Sequence, residues 1–425
     1  MTREPYSLPF PDRPVGTVDE AMPWDHLVVV MMENHSFDNV LGALPRSGKP
    51  RADGLSFDAS GTPTNSNPGR NGPVRAFPFS STAQAGHVSQ TWNATHEQID
   101  GGKMDGFVRS VNSEEPMGYY PPEVLPFAYS LALTFTVANC WFGSAPCQTY
   151  ANRRFLMAGT AYGNVASSAA SLSDPPPPNG TIFDRLDEQE ISWREYATDV
   201  PRSAIIPSII EKHGAHITTV KDFYDDCAAG TLPSVSFVDP EVGVLSNVGK
   251  ALANIPLLGK LAGRFKALGG DEEPPQDMYY GEAWAHRVIE AVLQSPAWPR
   301  TLLIYTYDEH GGYFDHVPPP PAIEPDAIPP RLTPTHVPGA YDIYGPRVPA
   351  VVVSPYSKPN GVTNVVHDHT SVLATIEHKW NLPALTYRDA NAATVMDFLD
   401  PKRAALMSPP PVQGPSDTGP SGPTN

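Results

Sequence analysis

Cationic side chains are scarce in this chain: 29 lysines and arginines stand against 46 aspartates and glutamates, a formal charge of −17. A nucleic-acid surface needs a basic stripe, so that class of partner is not expected. The same imbalance confines any anionic substrate to places where a metal ion, a helix N-terminus or placed arginines outweigh the overall field. Cysteine is scarcer still. Cys140, Cys147 and Cys227 are too few for a disulfide scaffold, and free, buried thiols are expected in preference to a Cys140–Cys147 bridge. No apolar run approaches the roughly 20 residues of a membrane span, so no transmembrane segment is expected. The first residues, MTREPYSLPFPDRP, lack the basic start and apolar stretch of a signal peptide. The chain as written is therefore expected in the cytoplasm, or in a secreted or periplasmic setting if a leader has been removed.

Proline, by contrast, is abundant. Fifty of 425 residues is about twice the usual share of roughly 5%, which implies long ordered loops between regular elements. With 40% hydrophobic and 18% charged residues the composition is globular. The expected organisation is an N-terminal extension over 1–23, one catalytic domain over 24–400, and a Pro/Ser/Gly-rich tail over 401–425 expected to be disordered. A cap or loop insertion rich in Gly, Pro, Ser and Asn is expected at about 50–90.

Three short apolar runs read as buried strands: His26–Met32, Thr301–Tyr307 and Val348–Val353. Shorter candidates are Phe135–Val137 and Ser234–Val238. Helices are expected from about Gly281 to Leu293 and from Thr370 to Trp380. Strands alternating with helices imply an α/β fold with a largely parallel sheet.

The first two runs end in polar pairs, Glu33-Asn34 and Asp308-Glu309, and ligands of open α/β sheets collect at strand carboxyl ends. Their oxygens would suit a hard divalent cation. Taken singly, each pair could instead cap a helix or start a turn. Gly311-Gly312 and Asp315-His316, packed just after Asp308, favour metal binding, since the glycines permit close ligand approach.

Glu33-Asn-His-Ser-Phe-Asp-Asn-Val-Leu-Gly42 and Thr306-Tyr-Asp-Glu-His-Gly-Gly-Tyr-Phe-Asp-His316 resemble the two signature blocks of a bacterial phosphoesterase family. That family includes non-specific phospholipases C and acid phosphatases of the AcpA type. Further blocks follow in the family's order: His96 with Gly101-Gly-Lys-Met-Asp-Gly-Phe107, Thr149-Tyr-Ala-Asn-Arg153, Leu232-Pro-Ser-Val-Ser-Phe-Val-Asp-Pro240 and Asp368-His-Thr-Ser371.

The resemblance implies an alkaline-phosphatase-like fold and metal-dependent hydrolysis of phosphate esters or phospholipids. Glu33, Asn34 and Asp308 would be metal ligands, with Glu309 beside them, and Thr149 the nucleophile, itself at the metal. The ion would be calcium, magnesium or manganese, with iron or zinc tolerated. Attack by Thr149 would give a phosphothreonine that water cleaves. Ser144 is a rival nucleophile, and Thr149 has the bland alternative of a helix N-cap.

Arg153 would pair with phosphate. Asn34, Asn152, Lys103 and Glu273 are candidates for holding substrate. His96, His310 and His369 are candidates for protonating the leaving group. Where many relatives carry histidines before a Pro-Pro pair, this chain has Asp271-Glu-Glu-Pro-Pro275. Glu272 and Glu273 are expected to be solvated, or else to meet a cationic head group. The competing readings are a non-catalytic phosphate- or metal-binding protein of the same fold, and a sulfatase-like hydrolase.

Overall fold

The computed structural model describes the chain except for residues 1, 85, 87, 242–271, 273–275, 417, 418 and 420–425. Its central sheet contains β1 (His26–Met32), β2 (Thr136–Ala138), β3 (Trp193–Ala197), β4 (Ile217–Thr219), β5 (Val235–Asp239), β6 (Thr301–Tyr307), β7 (Ala350–Val353) and β8 (Val362–Thr363). Across the sheet the order is β8-β2-β7-β6-β1-β5-β3-β4. β1 lies between β6 and β5 and is parallel to both. β7 alone runs against its neighbours β6 and β2. The expected α/β architecture with a largely parallel sheet is therefore what forms.

The apolar runs occupy the middle of the sheet because both of its faces are covered. Every residue of β6 is buried, as are six of the seven in β1. Helices of eight or more residues include α1 (Trp92–Ile99), α2 (Pro126–Thr134), α3 (Thr149–Ala158), α4 (Met278–Gln294) and α5 (Thr370–Trp380). On α4 the buried residues Trp284, Ala285, Val288, Ile289 and Val292 recur at helical spacing and join the same core as β1 and β6.

Several boundaries differ from expectation. β7 starts at Ala350 rather than Val348, and α4 begins earlier and ends later than the periodicity suggests. β3, β4 and β8 were not foreseen. β3 reads Trp-Arg-Glu-Tyr-Ala, whose Arg194 and Glu195 hide it from a hydrophobicity scan, although Glu195 is buried.

Residues 50–90 are mostly irregular around one hairpin, Ser66–Gly69 with Gly72–Arg75. In the C-terminal segment Leu406 is buried, and its amide donates to the Pro355 carbonyl at 2.9 Å. The chain is thus attached there, whereas residues 417, 418 and 420–425 of the tail expected to be disordered lie outside the described residues. Among the described residues no helix is long and apolar enough to cross a membrane. Cys140, Cys147 and Cys227 are all free.

Glu282 breaks the apolar face of α4, and α2 explains it. The Ala128 amide, in the first turn of α2, donates to Glu282 Oε1 at 2.8 Å. At the other end of α2, buried Lys49 donates to the Ala132 and Phe135 carbonyls. An acceptor at the N-terminus and a donor at the C-terminus thus serve backbone groups that the helix leaves without partners. Burial pushes the Glu282 carboxyl from 4.5 up to about 8. The folded chain therefore holds an extra proton between those values, and stability falls as pH rises through that window. Glu282→Gln keeps an acceptor without the ionisation. Urea unfolding of this variant should show a flatter pH dependence between pH 4.5 and 8 than the parent. An unchanged slope would contradict the assignment.

Candidate active site

Parallel pairing of β1 with β6 sets Met32 against Tyr307. Glu33-Asn34 and Asp308-Glu309 consequently leave the sheet side by side at its carboxyl edge. Asn34 turns there with φ of 62°, a left-handed conformation that an asparagine tolerates better than most residues. Its amide donates to Asp308 Oδ1 at 2.9 Å. Gly311, at φ of 66°, passes so close that a Cβ on it would lie 1.8 Å from the Asn34 carbonyl oxygen. The glycine pair of the second block is thus what lets it close onto the first.

Helix α3 supplies the third side. Thr149 and Arg153 lie one turn apart on one face. Arg153 Nε donates to Asp308 Oδ2 at 3.1 Å, and its Nη2 reaches Glu33 Oε1 and the Met31 and Met32 carbonyls, each at 3.1 Å. The guanidinium expected to meet phosphate instead fastens the two carboxylates and the end of β1.

Thr149 Oγ1 donates to Asn34 Oδ1 at 3.2 Å. The N-cap of α3 is Gln148, so Thr149 does not have the capping role that was its bland alternative. Ser144 is fully buried and its Oγ accepts from the His369 amide at 3.3 Å. Asn152 is bound into the preceding loop, donating to the Cys147 carbonyl at 2.7 Å and accepting from the Ala145 amide at 3.1 Å.

Three carboxyls, Glu33, Asp308 and Glu309, are buried here. Burial opposes ionisation of Glu33, but the charges of Arg153 and Arg202 hold it below the ordinary range. Burial and then the charge of Glu33 push Asp308 well upward. Burial also raises Glu309, whose Oε1 has no hydrogen-bond partner. Carboxyl oxygens thus exceed what the local guanidinium groups satisfy. Asn34 Oδ1 and Thr149 Oγ1 add oxygen donors of the kind a hard divalent cation takes, although Glu33, Asp308 and Glu309 do not bring one ligand atom each within 4.8 Å of one another.

The histidines divide by exposure. His310 is buried, with Nε2 2.7 Å from Gln98 Oε1 and Nδ1 3.4 Å from Glu309 Oε2. His369 is buried, and its Nε2 donates to the Asp308 carbonyl at 2.6 Å. Burial brings His310 down to about 3 and His369 to about 4, so both are neutral near pH 7. His96 is half-buried, with Nδ1 2.7 Å from the Trp92 carbonyl and its ring against the Trp92 indole. Lys103 is exposed and paired with Asp100 at 3.1 Å. Glu272 is fully buried, which corrects the expectation of a solvated side chain; it sits against Gly281 on α4. Glu273 lies outside the described residues.

Among the described residues, one set of three carboxylate or imidazole groups lies within 4.8 Å of one another, and it is Asp38, Asp315 and His316. Sequence reasoning missed it as a group, although Asp315-His316 had marked half of it. Arg347, fully buried, already bridges it, with Nε 2.8 Å from Asp315 Oδ1 and Nη2 3.3 Å from Asp38 Oδ1. A guanidinium supplies positive charge there, as Arg153 does between Glu33 and Asp308. Arg202 was also missed. It stands outside every motif block, yet its Nη2 lies 2.9 Å from Glu33 Oε1.

The sequence profile of the Phosphoesterase family matches residues 24–383. Non-specific phospholipase C1 of Arabidopsis thaliana is 33% identical over 400 residues, covering 87% of this chain and 69% of the relative. Non-specific phospholipase C6 of the same plant is 30% identical over 405 residues, covering 88% and 71%. Non-hemolytic phospholipase C of Burkholderia pseudomallei is 26% identical, covering 90% and 58%. Among solved structures, a protein in the alkaline phosphatase superfamily from Vibrio parahaemolyticus gives a TM-score of 0.35 at 12% identity, covering 84% of this chain and 79% of that one. A score that low adds nothing to the fold already described.

The junction at Gly311 makes a direct prediction. Gly311→Ala combines a left-handed backbone with a clash against main chain, so it should destabilise the protein by at least about 2 kcal/mol and lower any activity of the site. Denaturant unfolding checks the first and an assay per folded molecule the second. Parental stability would show that the two loops do not meet as described.

Proposed function

The chain belongs to the Phosphoesterase family and is a phosphoric ester hydrolase, and from that premise we propose that Thr149 attacks phosphorus and carries the phosphoryl group as a phosphothreonine. The observation that supports this most is the approach of Thr149 Oγ1 to Asn34 Oδ1 at 3.2 Å. It joins the hydroxyl of α3 to the oxygen-rich end of β1. Ser144, turned toward the backbone of His369, has no such connection in its hydrogen bonding.

Glu33, Asn34, Asp308, Glu309 and Thr149 are the residues that would hold a divalent cation. Such an ion would neutralise phosphate charge and favour the deprotonated hydroxyl. The chain's own groups do the rest. Thr149 Oγ forms the bond to phosphorus as the bond to the leaving alcohol oxygen breaks. That alkoxide takes up the proton Thr149 gives away, by way of an imidazole; of the three candidates His96 alone is not fully buried. Water then cleaves the phosphothreonine, regenerating the hydroxyl. Arg153 keeps Glu33 and Asp308 in place throughout.

The relatives named as phospholipases C favour a phospholipid diester, cut on the glycerol side of phosphorus, over a simple monoester. A hydrolysis screen of p-nitrophenyl phosphate, p-nitrophenylphosphorylcholine and phosphatidylcholine micelles, each with and without chelator, distinguishes them. Chelation should abolish turnover and one divalent metal restore it. Thr149→Ala should lower kcat by at least about 10³-fold with little effect on folding, and Thr149→Ser should keep measurable activity. Near-parental turnover of the alanine variant, or full activity in a metal-free preparation, would overturn this mechanism.

A further inference from the structure

Arg202 reaches Glu33 from a turn that is anchored on three sides. The turn is the 3-10 helix Arg202–Ile205. Asp239, at the end of β5, accepts the Arg202 amide through Oδ2 at 2.9 Å. Glu195, on the neighbouring β3, accepts the Ser203 amide at 2.9 Å and the Ser203 hydroxyl. Burial, and then the charge of Asp239, raise the Glu195 carboxyl well above its ordinary range. From the other direction Arg154, next to Arg153 on α3, donates to the Ile205 carbonyl at 3.2 Å. The turn is thus fastened to two strands of the sheet and to the helix that carries Thr149. Its Ser203, Ala204 and Ile205 are buried, so it has little freedom to shift.

Arg202 Nη2 lies 2.9 Å from Glu33 Oε1 and 3.0 Å from the Glu241 carbonyl. Arg153 approaches the same Glu33 oxygen at 3.1 Å. Two guanidinium groups from different elements therefore converge on one carboxylate oxygen.

We propose that Arg202 is a positioning residue for Glu33, clamping the carboxylate against Arg153 so that its orientation at the end of β1 is fixed. This rests on the reading of Glu33 as a ligand given under Proposed function. Without Arg202 the carboxylate loses one of its two guanidinium partners and gains freedom to rotate. A lysine would restore the charge without the planar fork that matches a carboxylate.

The test compares the full-length parent, Arg202→Ala, Arg202→Lys and Glu33→Gln. It measures kcat and KM on p-nitrophenylphosphorylcholine, Mn²⁺ binding by calorimetry, and thermal unfolding. Arg202→Ala should lower kcat and weaken Mn²⁺ binding by about 10- to 100-fold each, the usual effect of removing a group that orients a ligand. KM should change much less. Arg202→Lys, and guanidinium added to the alanine variant, should restore part of the loss. Parental kcat and Mn²⁺ affinity in Arg202→Ala, beside an inactive Glu33→Gln, would overturn the proposal. So would equal losses in the alanine and lysine variants that track a lowered melting temperature and resist guanidinium. A parent protein inactive on every ester would overturn the functional reading instead, and Mn²⁺ affinity would still decide the role of Arg202.

Discussion

The parallel pairing of β1 with β6 ends at Met32 and Tyr307 together, and the Arg153 guanidinium then holds Glu33 to Asp308. The rest of the site hangs on this junction. Its groups are buried, so the pair cannot be judged as a surface salt bridge worth at most about 1 kcal/mol. Removing the guanidinium would strand buried carboxyl groups, a loss of about 3–5 kcal/mol for a broken buried pair. Arg153 sits one helical turn beyond Thr149. The residue that fastens the strand ends therefore also fixes the height at which the hydroxyl meets Asn34.

A second guanidinium plays the same part a little further along both loops. Arg347 bridges Asp38, on the short helix Phe37–Leu41, and Asp315 of the second block. His316 completes the cluster; burial opposes its protonation, but the Asp38 carboxylate at 2.7 Å outweighs this and raises it from 6.5 to about 10. The imidazole is therefore a cation across the neutral range. In a chain of net charge −17 the buried arginines are concentrated where carboxylates converge.

Much of this was legible in the residues. β1 and β6 are continuous apolar runs that end in acids, and that pattern alone points to the strand ends. The glycine pair at 311–312 announced an unusual backbone, which Gly311 adopts against Asn34. Arg202 was not legible, because its place depends on a turn held by Glu195 and Asp239, polar residues on strands β3 and β5. Glu195 itself made β3 look unlike a strand. Arg153 and Asn152 are a related case. Sequence marks such groups as chemically capable, whereas hydrogen bonds to Asp308, Glu33 and the Ala145–Cys147 loop determine how they are used.

In the proposed mechanism the Thr149 hydroxyl, rather than water, makes the first bond to phosphorus. Two successive displacements, each inverting, return phosphorus to its starting configuration, whereas a single attack by water inverts it. The most direct measurement is hydrolysis of a phosphate ester made chiral at phosphorus with oxygen isotopes, with the product trapped by an alcohol acceptor and its configuration read by ³¹P NMR. Net retention is the predicted result. Net inversion would contradict the covalent route and reduce Thr149 to a structural contact of Asn34.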